Sequence, residues 1–253
     1  MLKIRVIPCL LLSNGGLVKT VKFSKPKYIG DPINAVRIFN EKEVDELVFL
    51  DIDATKNNSG PNFELLEKIS SEAFMPFSYG GGIKSLDQVK KIFALGVEKV
   101  VINSAAIEDD KFIASIAKTA GSSSVVVSID VHQNIFGKYV IKYRSGKRNS
   151  KLNLIDYVKT VEDSGAGEII LNSINRDGLM NGYDLRSLKL VTDAVNIPVV
   201  PIGGAGSLTD MRDAINCGAS AVSAGSFFVF HGVHKAVLIT YPQYEAMEAI
   251  FND

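Results

Sequence analysis

The chain repeats itself. Gly81-Gly82-Ile83-Lys84-Ser85-Leu86 realigns with Gly203-Gly204-Ala205-Gly206-Ser207-Leu208 at an offset of 122 residues, and the same offset carries Asn103-Ser104 onto Gly225-Ser226. In 253 residues this period is close to half the molecule, so a fold adopted by one half is imposed on the other. Within the halves, short apolar, β-branched runs alternate with helical segments. The runs are Ile4 to Leu10, Glu46 to Asp51, Phe74 to Tyr79, Lys99 to Asn103, Ser124 to Asp130, Glu168 to Asn172, Ile197 to Ile202 and Ala219 to Ala224. Helix starts stand between them: Asp31-Pro32, with proline at the first helical position, and Ser85-Leu86-Asp87-Gln88, read as a capping box. Strict strand–helix alternation implies parallel pairing. Two halves of four strands close into a barrel of eight, whereas an open sheet would leave two similar edges to protect. The expectation is a single (β/α)₈ TIM-barrel domain over residues 1–253, with half-barrels of about 1–122 and 123–253.

Composition enters mainly by exclusion. Lys plus Arg is 28 and Asp plus Glu is 28, so charge balance gives no reason to expect a nucleic-acid partner. Cys9 and Cys217 cannot staple a secreted framework, and no charged-then-apolar leader precedes the first strand. No apolar stretch approaches the roughly 20 residues that cross a bilayer. The expected location is the cytoplasm, without membrane contact. His132, His231 and His234 are scattered and match no ligand spacing, so no metal and no cofactor is expected. Cys9 has no histidine at an activating spacing and is read as a small core residue.

In a barrel, the active face is made by strand C-termini and the loops after them. Gly80-Gly81-Gly82 ends the third strand and Gly203-Gly204 the seventh, each opening into a capped helix whose bare N–H groups and dipole favour an anion. Asn103-Ser104 and Gly225-Ser226 would complete two matching pockets, suited to a ligand with a phosphate at each end. The alternative is that these glycines only permit tight turns. Asp51 and Asp53 follow the second strand, Asp130 ends the fifth, Asn172 ends the sixth, and Asp177 lies in Asn175-Arg176-Asp177-Gly178. Asp130 closes an apolar run, where desolvation would raise its pKa into the acid/base range. Asp177-Gly178 reads equally well as a plain turn. The segment Ser13 to Gly30 is read as irregular, a mobile lid over this face.

The opposite face gathers Arg5, Glu46, Lys99 and Glu168, all at strand N-termini. Such a ring of two bases and two acids would ordinarily serve stability, yet buried ion pairs are doubtful stabilisers and imply a second reason for being there.

Taken together, the residues resemble the cyclase subunit of imidazole-glycerol-phosphate synthase over nearly the whole chain. The resemblance is carried by Arg5-Val6-Ile7-Pro8-Cys9, Asp45 to Asp51, Gly80-Gly81-Gly82-Ile83, Ile102-Asn103-Ser104-Ala105-Ala106, Gly165-Ala166-Gly167-Glu168, Arg176-Asp177-Gly178 and Gly182-Tyr183-Asp184-Leu185. It implies a glutaminase docked on the N-terminal barrel face, and ammonia passing a gate formed by Arg5, Glu46, Lys99 and Glu168. It implies phosphate sites at Gly82, Asn103 and Ser104 and at Asp177, Gly178, Gly204, Gly225 and Ser226, with Lys19 as the basic residue of a catalytic loop. The family closes its ring with two aspartates. Asp130 matches one, and Leu11 stands at the position of the other.

Because of Leu11, the segment Cys9 to Phe23 resembles more closely a divergent branch of the family associated with glycosyl amidation and bacterial surface-polysaccharide genes. That resemblance implies an ammonia-channelling subunit serving a separate sugar amidotransferase. Two other readings stand beside it: the histidine-pathway synthase subunit itself, with Asp51 or Asp53 covering for the missing carboxylate, and a non-catalytic barrel that activates the glutaminase. Val237 to Pro242 is read as an extra β-like segment before a last helix, Tyr244 to Phe251, and either a surface for a third protein or a packing element.

Overall fold

The computed structural model describes residues 4–109 and 111–251; the extreme ends of the expected unit, 1–3 and 252–253, lie outside the described residues. Among the described residues, eight strands run parallel: β1 (Arg5–Ser13), β2 (Leu47–Asp51), β3 (Phe77–Gly80), β4 (Lys99–Ile102), β5 (Val125–Gln133), β6 (Glu168–Ser173), β7 (Val199–Ile202) and β8 (Ala221–Ala224). Each of β1 to β6 pairs with the next, and β1 also pairs with β8 in the register Arg5↔Ala221 to Pro8↔Ala224. The ring closes where Ser220 N–H donates to the Val199 carbonyl at 3.0 Å. This is the (β/α)₈ barrel that strand–helix alternation predicts.

Parallel strands are covered on both faces, which is why their runs are almost continuously apolar. Successive side chains still alternate, so each strand feeds two separate cores. Val6, Leu10 and Leu12 of β1 pack outward with Phe39, Leu66 and Ile92 of the surrounding helices. Ile7 and Cys9 point inward with Val48, Val101, Val126, Ile170, Val200 and Ala221, and this second cluster fills the barrel. The helix Pro32–Glu41 begins as expected, with the Asp31 carboxylate accepting from Asn34 N–H at 2.9 Å, and buries Ala35, Val36 and Phe39.

Several expectations need correction. Ser13 to Gly30 is no irregular lid: Gly16–Val21 and Ser24–Gly30 form an antiparallel hairpin that continues β1 through Leu11↔Val18 and Ser13↔Gly16. Asn14 and Gly15 both take left-handed φ values, 49° and 76°, which is the backbone that an Asn-Gly hairpin turn requires. The capping box at Ser85 is half made. Ser85 accepts from Gln88 N–H, but the Gln88 side chain takes the Lys84 N–H instead of closing on Ser85. A complete box stands at the equivalent helix of the other half, between Ser207 and Asp210. The third strand starts at Phe77 rather than Phe74, whose side chain is 88% exposed. Of Val237 to Pro242, only Val237 is in a strand, paired with Phe230; Tyr241 is buried and its hydroxyl donates to the Val6 carbonyl at 2.9 Å. The last helix, Tyr244–Phe251, is where it was expected.

A second hairpin has no counterpart in the sequence reading. β5 runs three residues past Asp130 and turns back as Tyr139–Tyr143, which pairs in turn with Arg148–Asn149.

Candidate active site

A cavity of about 620 Å³ opens at the C-terminal mouth of the barrel. Its lining includes every rim residue singled out in the sequence: Lys19, Asp51, Asp53, Gly82, Asn103, Ser104, Asp130, Asn172, Asp177, Gly178, Gly204, Gly225 and Ser226. Residues up to 207 positions apart in the chain meet there because each sits at, or just after, the end of a barrel strand or on the hairpin that extends β1.

Asp130 is the deepest acid of this wall, 7% exposed. Burial pushes its pKa up to about 7, against hydrogen bonds from Asn172 and Ser128 that favour the ionised form, while Asp177 adds a further upward push. Asn172 is its register partner on β6, and Asn103 Nδ2 stands 3.4 Å from Oδ2. A carboxyl divided between acid and base near neutral pH can both take and return a proton. Lys19 reaches into the mouth from the first hairpin, 6% exposed, and its Nζ donates to the Cys9 carbonyl at 2.5 Å. Burial lowers its pKa, against the influence of Cys9 and Asp177. Cys9 is a buried core thiol, as expected, pushed up to about 11 by burial.

The other acids hold structure as well as facing the cavity. Asp51 Oδ1 accepts from Asp53 N–H and Ala54 N–H, both at 3.0 Å, and burial raises its pKa against those bonds. Asp53 receives the Ser13 hydroxyl at 2.6 Å and Asn14 N–H at 3.3 Å. Asp177 Oδ2 receives Thr20 Oγ1 at 2.8 Å and Phe23 N–H at 3.0 Å, so Asp53 and Asp177 pin the base and the tip of the first hairpin. Burial raises the Asp177 pKa despite those bonds. Opposite Asp130, the Leu11 and Leu50 side chains supply apolar wall where Leu11 could have been an acid.

Two glycines explain themselves sterically. A Cβ at Gly82 would lie 2.9 Å from Ala54 Cβ and Gly60 Cα, at a left-handed φ of 67°. One at Gly204 would collide with the Gly182 carbonyl. Both keep backbone close to the cavity, which a tight turn and an anion cradle require alike.

The sequence reading missed the cations of the lip. Lys56, Lys84, Arg144 and Lys147 line the cavity, and Arg144 and Lys147 arrive on the turn of the second hairpin. That turn is anchored by Arg144 N–H to Ser104 Oγ at 2.9 Å and by Ser145 Oγ to the Ile52 carbonyl at 3.3 Å. Ser145-Gly146 behind the strand-like run Tyr139 to Tyr143 was the available signal, and Arg144, Ser145 and Gly146 take left-handed φ values. Phe23 of the first hairpin packs beside Gly146, where a Cβ would come within 2.9 Å of the ring, so the two hairpin tips meet.

At the other end of the barrel the four expected charges do converge. Arg5 bonds Glu46 at 2.5 Å and Glu168 at 2.6 Å, while Lys99 lies 3.0 Å from Glu46 and 3.5 Å from Glu168. Ser78 Oγ adds a bond to Glu46 at 2.9 Å. Burial opposes the Arg5 charge, but Glu168 and Glu46 outweigh it and raise its pKa.

The sequence matches the family described as histidine biosynthesis protein over residues 5–234. The chain belongs to that family. Among its relatives in the histidine biosynthesis family, the Pseudomonas aeruginosa protein named "putative imidazole glycerol phosphate synthase subunit hisF2" is 52% identical over 250 residues, 98% of this chain and 99% of that protein. The Leptospira interrogans protein named "putative imidazole glycerol phosphate synthase subunit HisF" is 51% identical over 253 residues, 99% of this chain and all of that protein. The "imidazole glycerol phosphate synthase subunit HisF" of Alkaliphilus metalliredigens is 40% identical over 230 residues, 90% and 91% of the two chains. Among the described residues no helix is long and apolar enough to cross a membrane, and no three His, Cys, Asp or Glu residues stand together as a metal site.

Proposed function

We propose that this chain is the cyclase-type subunit of an imidazole glycerol phosphate synthase, which takes ammonia from a glutaminase and uses it at the barrel rim. The family match and the relatives' names favour this reading over sugar amidation, which the Leu11 position had suggested first. The observation that carries it is Asp130: a buried carboxyl with a pKa of about 7 in a rim cavity with a cationic lip.

In this reading Gly82, Asn103, Ser104 and the lip cations hold one phosphate, and Gly178, Gly204, Gly225 and Ser226 the other. Asp130 moves protons during ring closure. Asp51, with Oδ1 committed to the backbone, stands on the strand next to Leu11 and covers for the second acid. The Arg5–Glu46–Lys99–Glu168 ring lies at the floor of an apolar interior whose side chains cannot trap a small neutral amine. A glutaminase on that face would deliver ammonia past the ring.

The purified chain, given the ribulosyl aminoimidazole-carboxamide nucleotide and an ammonium salt, is expected to form imidazole glycerol phosphate. A second reading, ammonia delivery to a sugar amidotransferase, is favoured by the isobutyl group at Leu11. If the wild-type chain makes no product and Leu11→Asp does, that second reading replaces the first.

A further inference from the structure

Charge in this chain balances overall but not by place. The two rim hairpins already described, and a third in which Phe230–His231 pairs with Ala236–Val237, lie within residues 14–30, 131–153 and 226–243. Together these segments hold 11 of the 28 lysines and arginines and none of the 28 aspartates and glutamates, so the rest of the chain is acidic by the same margin. A single-sign field costs self-repulsion, and its use is to draw in the opposite sign.

The hairpins gather round one mouth. Phe23 of the first packs beside Gly146 of the second, and Lys27 Nζ of the first lies 5.4 Å from the Phe230 ring centroid of the third. The tips are held by backbone and hydroxyl groups: Lys22 N–H donates to the Asp177 carbonyl at 3.1 Å, and Arg144 N–H to Ser104 Oγ at 2.9 Å. Such anchors leave the side-chain charges unneutralised. Among the described residues Arg144 is the one hairpin cation in an ion pair, with Glu108 at 2.6 Å. Lys22, Lys25, Lys27, Lys138, Lys151 and Lys235 are exposed, and none of them lines the rim cavity. The acids of the cavity oppose this field weakly, because burial disfavours the charged form of Asp51, Asp130 and Asp177.

We propose that the three hairpins form an electrostatic funnel, in which cations that never touch the ligand concentrate doubly phosphorylated small molecules at the mouth and select them over singly phosphorylated ones. This rests on the rim being a phosphate site. Attraction scales with ligand charge, so a bisphosphate gains about the square of the factor that a monophosphate gains. A focused field of this kind raises the local concentration of ligand and its capture by ~10–10³. The gain fades with salt, as the screening length falls from about 20 Å at about 20 mM to about 6 Å at about 300 mM.

The test is calorimetric binding of ribulose 1,5-bisphosphate and of ribulose 5-phosphate to the full chain at those two salt concentrations. Lys25→Glu/Lys138→Glu/Lys151→Glu reverses charge on the first two hairpins. Lys68→Glu/Lys90→Glu/Lys118→Glu makes the same change of net charge at exposed positions of the outer helices Phe63–Glu72, Leu86–Ala94 and Lys111–Ala120. At the lower salt the hairpin variant should lose ~10-fold in bisphosphate affinity and about 3-fold in monophosphate affinity, with both losses nearly gone at the higher salt. The outer-helix variant should stay within about twofold of wild type. Lys25→Gln/Lys138→Gln/Lys151→Gln, the milder change, should lose about 3-fold for the bisphosphate with the melting temperature unchanged. Equal losses in the two glutamate variants, a loss that persists at high salt, or unchanged bisphosphate affinity overturns the funnel and leaves the phosphate site standing. If wild type binds neither sugar phosphate, both readings fall. Tighter binding of a single-stranded oligonucleotide than of the bisphosphate would overturn the funnel in favour of nucleic acid.

Discussion

At the floor of the barrel Arg5, Glu46, Lys99 and Glu168 neutralise one another over contacts of 2.5 to 3.5 Å, whereas at the rim Lys19 and Asp130 are as deeply buried and make no ion pair among the described residues. The two ends hold the same kinds of groups in opposite states. Charges at the floor satisfy each other; those at the rim are hydrogen-bonded to neutral groups, and burial pushes the Asp130 pKa up to about 7 and the Lys19 pKa down. An unpaired acid can exchange protons, at a cost in stability.

The comparison breaks most visibly at Asp130. Asp130→Asn should lower turnover by ~10²–10⁴, with melting temperature unchanged or raised, because a buried ionisable group is removed. A large drop in melting temperature would mean the rim acid is structural. Its pH signature follows from the same site. The native carboxyl, with a pKa near 7, keeps a proton that the unfolded chain releases from 3.8, so this group's contribution to stability falls as pH rises from about 4 to about 7. Urea unfolding across that window should show the fall in the wild type and not in Asp130→Asn.

At the floor the expected effects are on folding. Glu46→Gln leaves Arg5 and Lys99 short of a buried partner and should cost about 3–5 kcal/mol in urea unfolding. Ser78→Ala removes one bond to the same carboxylate and should cost about 1.5–3 kcal/mol. If either change is neutral, water or a rearranged Glu168 satisfies the ring without it. The smallest effect belongs to the rim's scaffolding: Asp53→Ala, which unties Ser13 and Asn14, should cost about 1 kcal/mol and speed hydrogen exchange in the first hairpin.

Much of this contrast can be read from the chain because a barrel translates strand position into height. Arg5, Glu46, Lys99 and Glu168 begin strands and meet at the floor; Asp130 and Asn172 stand near strand ends and meet at the rim. The two hairpins escaped for local reasons. Leu17 to Thr20 bury four consecutive side chains, so the polar–apolar alternation of an exposed hairpin is missing and only Asn14-Gly15 marks the turn. The second hairpin continues β5 beyond its last core residue, and its return strand Tyr139 to Tyr143, though rich in strand formers, buries only Ile141 and adds no unit to the strand–helix alternation from which the barrel is read. Missing it hid Arg144 and Lys147. The acids Asp53 and Asp177 were legible as rim residues, but their grip on the first hairpin depends on contacts between segments 40 and 154 residues apart.

The proposed division of labour between floor and rim is tested most directly by the ratio of glutamine-supported to ammonium-supported turnover, measured with the proposed glutaminase partner bound, in Lys99→Met and Asp130→Asn. The account predicts that Lys99→Met changes the ratio while retaining ammonium-supported turnover, and that Asp130→Asn lowers both activities together and leaves the ratio alone. Proportional loss of both activities in Lys99→Met would contradict it, reducing the charged floor to a structural plug.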